Sequence, residues 1–348
     1  MAKFNMKAWK TQLMNQEQRS AMPIMTHPGI SMIRKKVIDA VTDGEVHYQA
    51  IKALADHYPA AAATMIMDLT VEAEAFGCRI NFTEEEVPTV AERLVSDHES
   101  VKKLEVPGTD RGRIKEYLKA ARLAAENISQ KPVFGGCIGP FSLAGRLYDM
   151  TEIMTAIFME PDTIHELLEK CTSFLIAYSK ELRKKGMNGL IMAEPAAGLL
   201  DESLCDIFSS AYIRRIVESV QDDHFLFILH NCGNTGQVTR SMIRTRAQGL
   251  HFGNRIDMVR SLREVPAGIL VFGNLDPVGA FKMATPDEMS RMTCELLETT
   301  GDFKNFVISS GCDTPPGVTP ENIRAFYSAL RKYNHQLAGR IKNITITG

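Results

Sequence analysis

Short apolar runs alternate along the chain with longer segments whose apolar residues fall three and four apart. Runs of the first kind suit buried parallel strands and the longer segments suit amphipathic helices, so their alternation marks repeated βα units. Eight runs bounded by Gly, Pro or polar residues read as strands: PIMTH from Pro23, ATMIMD from Ala63, PVFGGCIG from Pro132, GLIMAE from Gly189, FLFILHNC from Phe225, GLHFG from Gly249, GILVFGNL from Gly268 and FVISSGC from Phe306. Between them, DTIHELLEKCTSFLIAYSKELRKKG from Asp162 and TPENIRAFYSALRKYNHQLAGR from Thr319 read as helices.

Eight strands with intervening helices, and no G-x-G-x-x-G after an early strand, predict a closed (β/α)8 TIM-type barrel rather than an open doubly wound sheet. No linker divides residues 21–348, which are expected to form that single barrel domain. Residues 1–20 are mixed and polar, and predict a short helical extension lying outside the main body. The polar stretch over residues 96–113 is expected to be a long loop between strands.

Composition narrows the function more than the fold. The chain has 348 residues, 45% of them apolar and 24% charged, with a formal charge of −2 and no Lys/Arg blocks. Nothing in it is an electrostatic footprint for nucleic acid or an acidic membrane. No window approaches the roughly 18 apolar residues of a bilayer span, and the N-terminus lacks a basic segment followed by an apolar run. A cytoplasmic protein with a small-molecule or protein partner is expected. The seven cysteines are scattered and odd in number, unlike a disulfide framework, and are expected to be reduced.

Catalytic groups of such barrels gather at the C-terminal ends of the strands. FILHNCGNTG ends one predicted strand with His230 and Cys232 two residues apart, so both side chains point the same way. Cys312, in ISSGCDTPP, ends the last predicted strand on the same face. One imidazole and two thiolates suit Zn2+, and three protein donors leave a fourth position open. Two thiolates and a neutral imidazole balance the metal's charge, so a thiol taken as fourth ligand would lose its proton yet stay nucleophilic.

Several stretches carry a family resemblance: DLTVEAEAFGCRINF from Asp68, GCIGPFSLAGRLY from Gly136, HNCGNTG from His230, GNLDP from Gly273 and SSGCDTPPGVTPENIRAF from Ser309. On these the chain resembles the uroporphyrinogen decarboxylase superfamily from about residue 20 onward. Within it, the chain looks like the corrinoid:thiol branch typified by methylcobamide:coenzyme M methyltransferases. The resemblance implies zinc on His230, Cys232 and Cys312, and an acceptor thiol whose sulfur takes the methyl group of a methyl-corrinoid, releasing the cob(I) form. It also implies a separate small corrinoid-carrying protein as partner. The acceptor stays open between coenzyme M, another thiol and a folate.

A second reading, from the decarboxylase side of the superfamily, is a carboxy-lyase acting on a tetrapyrrole through Asp68 and Tyr148. The first loop, MPIMTHPGISMIRKK, has His27 and Gly29 where that family's arginines are expected, and Arg34 is the nearest guanidinium. A third reading is a non-catalytic corrinoid- or tetrapyrrole-binding barrel. Four further positions keep two roles each. Glu194, at the end of GLIMAEP, either occupies the open metal position or orients a ligand there, or else caps the helix that follows it. Asp276, in GNLDP, either lines the corrinoid-facing mouth or forms an Asx turn before Pro277. Asn234, like Asn231, either supports the cofactor site or shapes the turn. His251 is expected to be a packed or outer-sphere histidine.

Overall fold

In the computed structural model, which describes residues 4–347, the expected alternation of strands and helices is present. Seven strands among the described residues form one curled, wholly parallel sheet in chain order. They are β1 (Ala63–Thr64), β2 (Val133–Ile138), β3 (Gly189–Ala193), β4 (Leu226–Asn231), β5 (Gly249–Phe252), β6 (Leu270–Leu275) and β7 (Phe306–Ser310). Each of β2 to β7 is buried along its whole length, which explains why they read as continuous apolar runs instead of alternating ones. A two-stranded antiparallel hairpin, Ile80–Asn81 with Thr89–Val90, stands apart from the sheet.

The sheet has two faces with different company. Residues of one parity, Phe134, Ile191, Leu226, Ile228, Leu270, Phe272 and Val307, form a compact apolar cluster with Met22 and Ala62 on the concave side. Those of the other parity, among them Val133, Leu190, Phe227, Leu250, Val271 and Phe306, pack against the surrounding helices in a much larger cluster. The helix Pro161–Lys184 illustrates the outer layer: Pro161 opens it at N1, Arg183 and Lys184 close it, and Ile164, Leu167, Cys171, Phe174, Leu175, Tyr178 and Leu182 make its buried stripe.

Three expectations need correcting. The run from Pro23 is not a strand. Residues 20–24 lie beside β7 through a single parallel bridge, Ala21 to Ile308, with Met22 N donating to Ile308 O at 2.9 Å and Ile308 N to Ser20 O at 3.1 Å. On their other side Ala61 N donates to Ala21 O at 2.8 Å. Pro23 brings no N–H to the ladder, and Ile24 N turns to the Ser310 hydroxyl at 3.0 Å, so regular pairing stops after one bridge. His27 then opens the helix His27–Met32. The region expected as a long loop over residues 96–113 also holds the helix His98–Lys103.

The N-terminal helix, Met6–Asn15, does not lie outside the body. Met6 is fully buried in the concave cluster, with Phe4, Trp9, Leu13 and Met14 packed around it, and the Trp9 ring lies 5.8 Å from that of Phe134. Met6, Trp9 and Leu13 are a stripe at helical spacing, a signal that the polar neighbours mask. Asp223 O accepts from Met6 N and Lys7 N at 2.7 and 3.1 Å, pinning the helix start to the turn before β4.

No described helix is long and apolar enough to cross a membrane. If the N-terminal helix is an integral cover for the concave cluster, Met6→Ala lowers the unfolding free energy by about 2–4 kcal/mol. The exposed-face change Gln12→Ala stays within about 0.5 kcal/mol. Chemical denaturation of both variants reads the difference, and equal, negligible effects would show the helix to be dispensable.

Candidate metal centre

Parallel pairing sets His230 of β4 opposite His251 of β5 and Ala193 of β3 opposite His230 on the other side. The inward parity that carries Leu226 and Ile228 therefore carries His230 as well, at the C-terminal end of the concave face. Cys232 follows β4 by one residue and Cys312 follows β7 by two. The structure brings all three together: one donor atom from each of His230, Cys232 and Cys312 lies within 4.8 Å of the others. Cys312 Sγ is 3.6 Å from His230 Nε2.

Local backbone chemistry holds Cys232 in place. Asn231 Oδ1 accepts from Gly233 N and Asn234 N, both at 2.9 Å, closing a turn around the cysteine. Asn234 is fully buried. Its Oδ1 accepts from Gly236 N at 2.8 Å and its Nδ2 donates to Thr239 Oγ1 at 3.1 Å, which fixes the following loop. A Cβ at Gly253 would stand 2.7 Å from the Cys232 carbonyl oxygen, so only glycine lets β5's exit pass this close. Gly198 and Gly233 meet in the same way between the loops after β3 and β4.

The two sulfurs interact directly. A hydrogen bond from Cys312 holds the Cys232 thiol below the ordinary thiol range, against the opposing effect of burial. The same bond, with burial, pushes the Cys312 thiol up. No cysteine is in a disulfide. The donor set suits zinc: an imidazole nitrogen and two cysteine sulfurs converge within reach of a common centre.

Behind His230 stands a buried chain of polar contacts. The Nδ1 atoms of His230 and His251 are 2.8 Å apart, their rings crossing at 78°. His251 Nε2 is 2.9 Å from Ser309 Oγ, which donates to Met22 O at 2.8 Å. Burial holds the His251 pKa well below the ordinary histidine range, and the charge of His230 adds to the effect.

The remaining candidates are engaged elsewhere. Glu194 is buried, and its carboxylate accepts from Phe141 N (2.8 Å), Ser142 N (2.9 Å) and Ser209 Oγ (3.0 Å). It therefore caps not the helix that follows it, as expected, but the earlier helix Pro140–Tyr148, satisfying N–H groups that have no partner within that helix. Burial raises its pKa. Asp276 makes the Asx turn: Oδ1 accepts from Val278 N and Gly279 N at 2.8 and 2.9 Å, while Oδ2 takes Asn254 Nδ2 at 2.8 Å. Asp68 is buried in an ion pair with Arg113 and also accepts from Thr70 N and Oγ1 at 3.0 and 2.7 Å. Tyr148 is buried at the end of its helix, where burial raises its pKa and the charges acting on it are Glu160, Asp97, Arg93 and Glu152. No contact joins Asp68 to Tyr148 among the described residues. In the first loop His27 is buried with Nδ1 2.9 Å from Thr314 O, and Arg34 is exposed.

Three residues near this mouth went unnoticed in the sequence. Arg113 comes from the segment expected as loop, yet it is buried between Asp68 and Glu74, with Nε 2.6 Å from the latter. Glu72 is a buried carboxyl on the helix Val71–Phe76: Oε1 accepts from Ile138 N at 3.1 Å, whereas Oε2 has no hydrogen-bond partner among the described residues. Burial pushes its pKa up to about 7, with Asp68 adding to the shift. Arg146 lines a cavity of about 300 Å³ with Ile138, Ser142, Met150, Pro195, Ala196 and Leu199. Its guanidinium forms no hydrogen bond or ion pair with a described residue, and burial lowers its pKa.

Comparison with known proteins supplies a context for this geometry. The uroporphyrinogen decarboxylase (URO-D) family matches residues 17–333. A methylcobamide:CoM methyltransferase, MtbA, of Methanosarcina mazei is 28% identical over 278 residues, covering 79% of this chain and 80% of the relative. A uroporphyrinogen decarboxylase of Xylella fastidiosa is 24% identical over 296 residues, 80% of this chain and 82% of the relative. Among solved structures, a methyltransferase from Methanosarcina mazei superposes with a TM-score of 0.85 at 21% identity, covering 95% of this chain and 99% of that one. At that identity the likeness establishes a shared fold.

The buried Glu72 gives a pH signature. Its folded pKa of about 7 exceeds the unfolded value, so the native state holds a proton that the unfolded chain has already released. Stability from this group is full below the unfolded pKa and is lost as pH rises toward 7, by on the order of 3 kcal/mol. Glu72→Gln is expected to match the parent near pH 5 and to exceed it in denaturant midpoint at pH 8. Parallel curves across that range would mean that Glu72 is ionised in the fold.

Proposed function

Because the chain belongs to the uroporphyrinogen decarboxylase family, we propose that it is its methyl-transferring kind of member: a zinc enzyme that moves a methyl group from a methylated corrinoid to a small thiol. The observation that carries this reading is the convergence of His230, Cys232 and Cys312 within 4.8 Å, joined to likeness over 79% of the chain to a methylcobamide:CoM methyltransferase. The curled sheet is read as a full (β/α)8 barrel with residues 20–24 as the eighth stave. That reading is supported by their hydrogen bonds to β7 on one side and Ala61 on the other.

In this reading His230, Cys232 and Cys312 hold the metal and leave its fourth position to the acceptor. Bound there, zinc supplies a Lewis acid that keeps an acceptor sulfur deprotonated and nucleophilic near neutral pH. The acceptor sulfur bonds the methyl carbon, the cobalt–carbon bond breaks with its electron pair left on cobalt, and the thiol proton leaves to solvent. Glu194 acts at one remove by fixing the helix Pro140–Tyr148, which carries Arg146. Arg146, a half-buried cation that feels the charges of Asp68 and Glu72 but forms no hydrogen bond or ion pair with a described residue, favours an acceptor with an anionic end, seated in the cavity it lines. Asp276 and Asn234 shape the rim instead of touching a cofactor.

The corrinoid comes on a separate protein. Leu199, Val278 and Met283, 64%, 50% and 71% exposed on loops that leave the C-terminal ends of β3 and β6, offer it an apolar rim. The carboxy-lyase reading draws less support, because Asp68 is already paired with Arg113 and the first loop offers no buried guanidinium for a polycarboxylate.

Protein produced with zinc supplied is expected to hold close to one zinc per chain and to generate cob(I)alamin absorbance from methylcob(III)alamin and a small thiol. Cys232→Ala and Cys312→Ala should each reduce both by roughly 100-fold or more. Full activity in either variant, or a parent without zinc, sinks the proposal. Arg146→Met is expected to raise KM for an anionic thiol by roughly 10-fold or more while sparing a neutral one. Equal effects on the two thiols would remove Arg146 from acceptor recognition.

A further inference from the structure

We infer that His251 and Ser309 are positioning residues that hold His230 in the one tautomer able to bind a metal through Nε2. This rests on the metal reading above and extends it to two side chains outside the donor set.

The relay starts at a backbone carbonyl. Met22 O has no proton to give, so Ser309 Oγ donates to it at 2.8 Å, and the hydroxyl's single proton is then used. His251 Nε2, 2.9 Å from the same oxygen, must be the donor of that contact. A neutral imidazole with its proton on Nε2 carries its lone pair on Nδ1. His230 Nδ1 lies 2.8 Å from that lone pair, and two lone pairs do not face each other at hydrogen-bond distance, so the proton between the rings belongs to His230. What remains on His230 is the Nε2 lone pair, on the side that faces Cys312 Sγ at 3.6 Å.

The opposite polarity is blocked at both ends. Reversed, it would set the Ser309 and Met22 oxygens against each other without a proton, and would leave an Nε2–H pointing at the two sulfurs. Water cannot repair a broken link, because His230, His251 and Ser309 are all at most 1% exposed. Each member also stands on a different parallel segment: residues 20–24, β7, β5 and β4. The alignment of those segments is what presents an unprotonated nitrogen to the sulfurs. A hydrogen-bonded partner on the far nitrogen of a ligating histidine fixes both its tautomer and its ring orientation.

Zinc affinity, read by competition with a chromophoric chelator, is expected to fall 10- to 100-fold in His251→Leu. Ser309→Ala should lose less, since it frees the His251 proton without removing the ring. His251→Gln offers an amide oxygen to His230 and an amide N–H to Ser309, and should restore affinity to within a few-fold of the parent. The d–d spectrum of the Co2+-loaded protein should shift in His251→Leu and return in His251→Gln. A folded His251→Leu that binds zinc as the parent does overturns the inference. The metal-free parent gives a separate check through histidine side-chain 15N shifts, assigned with His230→Gln. Protonated Nδ1 on His230 supports the relay, and protonated Nε2 overturns it even if the parent takes up no zinc, a result that would count against the proposed function instead.

Discussion

Parallel register between β4 and β5 is the constraint on which the site depends. Pairing of His230 with His251 places two polar rings on the parity that elsewhere carries Leu226, Ile228 and Phe272. A slip of either strand by one residue would send its ring to the helix side and bring Leu229 or Leu250 inward. The apolar inward residues at the other end resist that slip, because they would have to leave the cluster closed by Met6 and Trp9. Packing that does no chemistry thereby sets the direction in which the chemical groups point.

Along the concave face the side chains change from wholly apolar at the N-terminal ends of the strands to His230, His251, Ser309 and Asn274 at the other. Polar groups at this depth survive because each is matched. Asn274 Nδ2 donates to the carbonyls of Gly253 and Ile256 at 3.0 and 2.9 Å, and the two histidines use each other. Asp68 and Arg113 follow the same rule further out, where removing either would strand a buried charge. Glu72 departs from it: its second oxygen has no hydrogen-bond partner among the described residues, and burial pushes its pKa up to about 7.

Much of this was legible in the sequence, and the failures have physical causes. The seven paired strands were visible because full burial on both faces produces uninterrupted apolar runs. His230 and Cys232 were visible because i and i+2 share a face, and Cys312 because it closes the last such run. The first stave was misread, since Pro23 and the hydroxyl of Ser310 replace ladder bonds that no hydrophobic pattern encodes. The N-terminal helix was misplaced because three apolar residues in a polar segment say that a stripe exists, not what it covers. Arg113 was invisible for a related reason: it sits in a charged stretch, and only the fold carries it to Asp68. The two roles left open for Glu194 are separated only by the helix whose N–H groups it meets.

The close approach at Gly253 makes a residue without any reactive atom a condition of the site. A methyl group there would meet the Cys232 backbone at 2.7 Å, and the sulfur would have to move with it. Gly198, pressed against Gly233 at 2.3 Å in the same sense, places an equal demand on the neighbouring loop. Sequence drift around this centre is thus limited by the absence of side chains as firmly as by the identity of the donors. A catalogue of function built from nucleophiles and ligands alone would leave out half of what keeps the cysteine where it is.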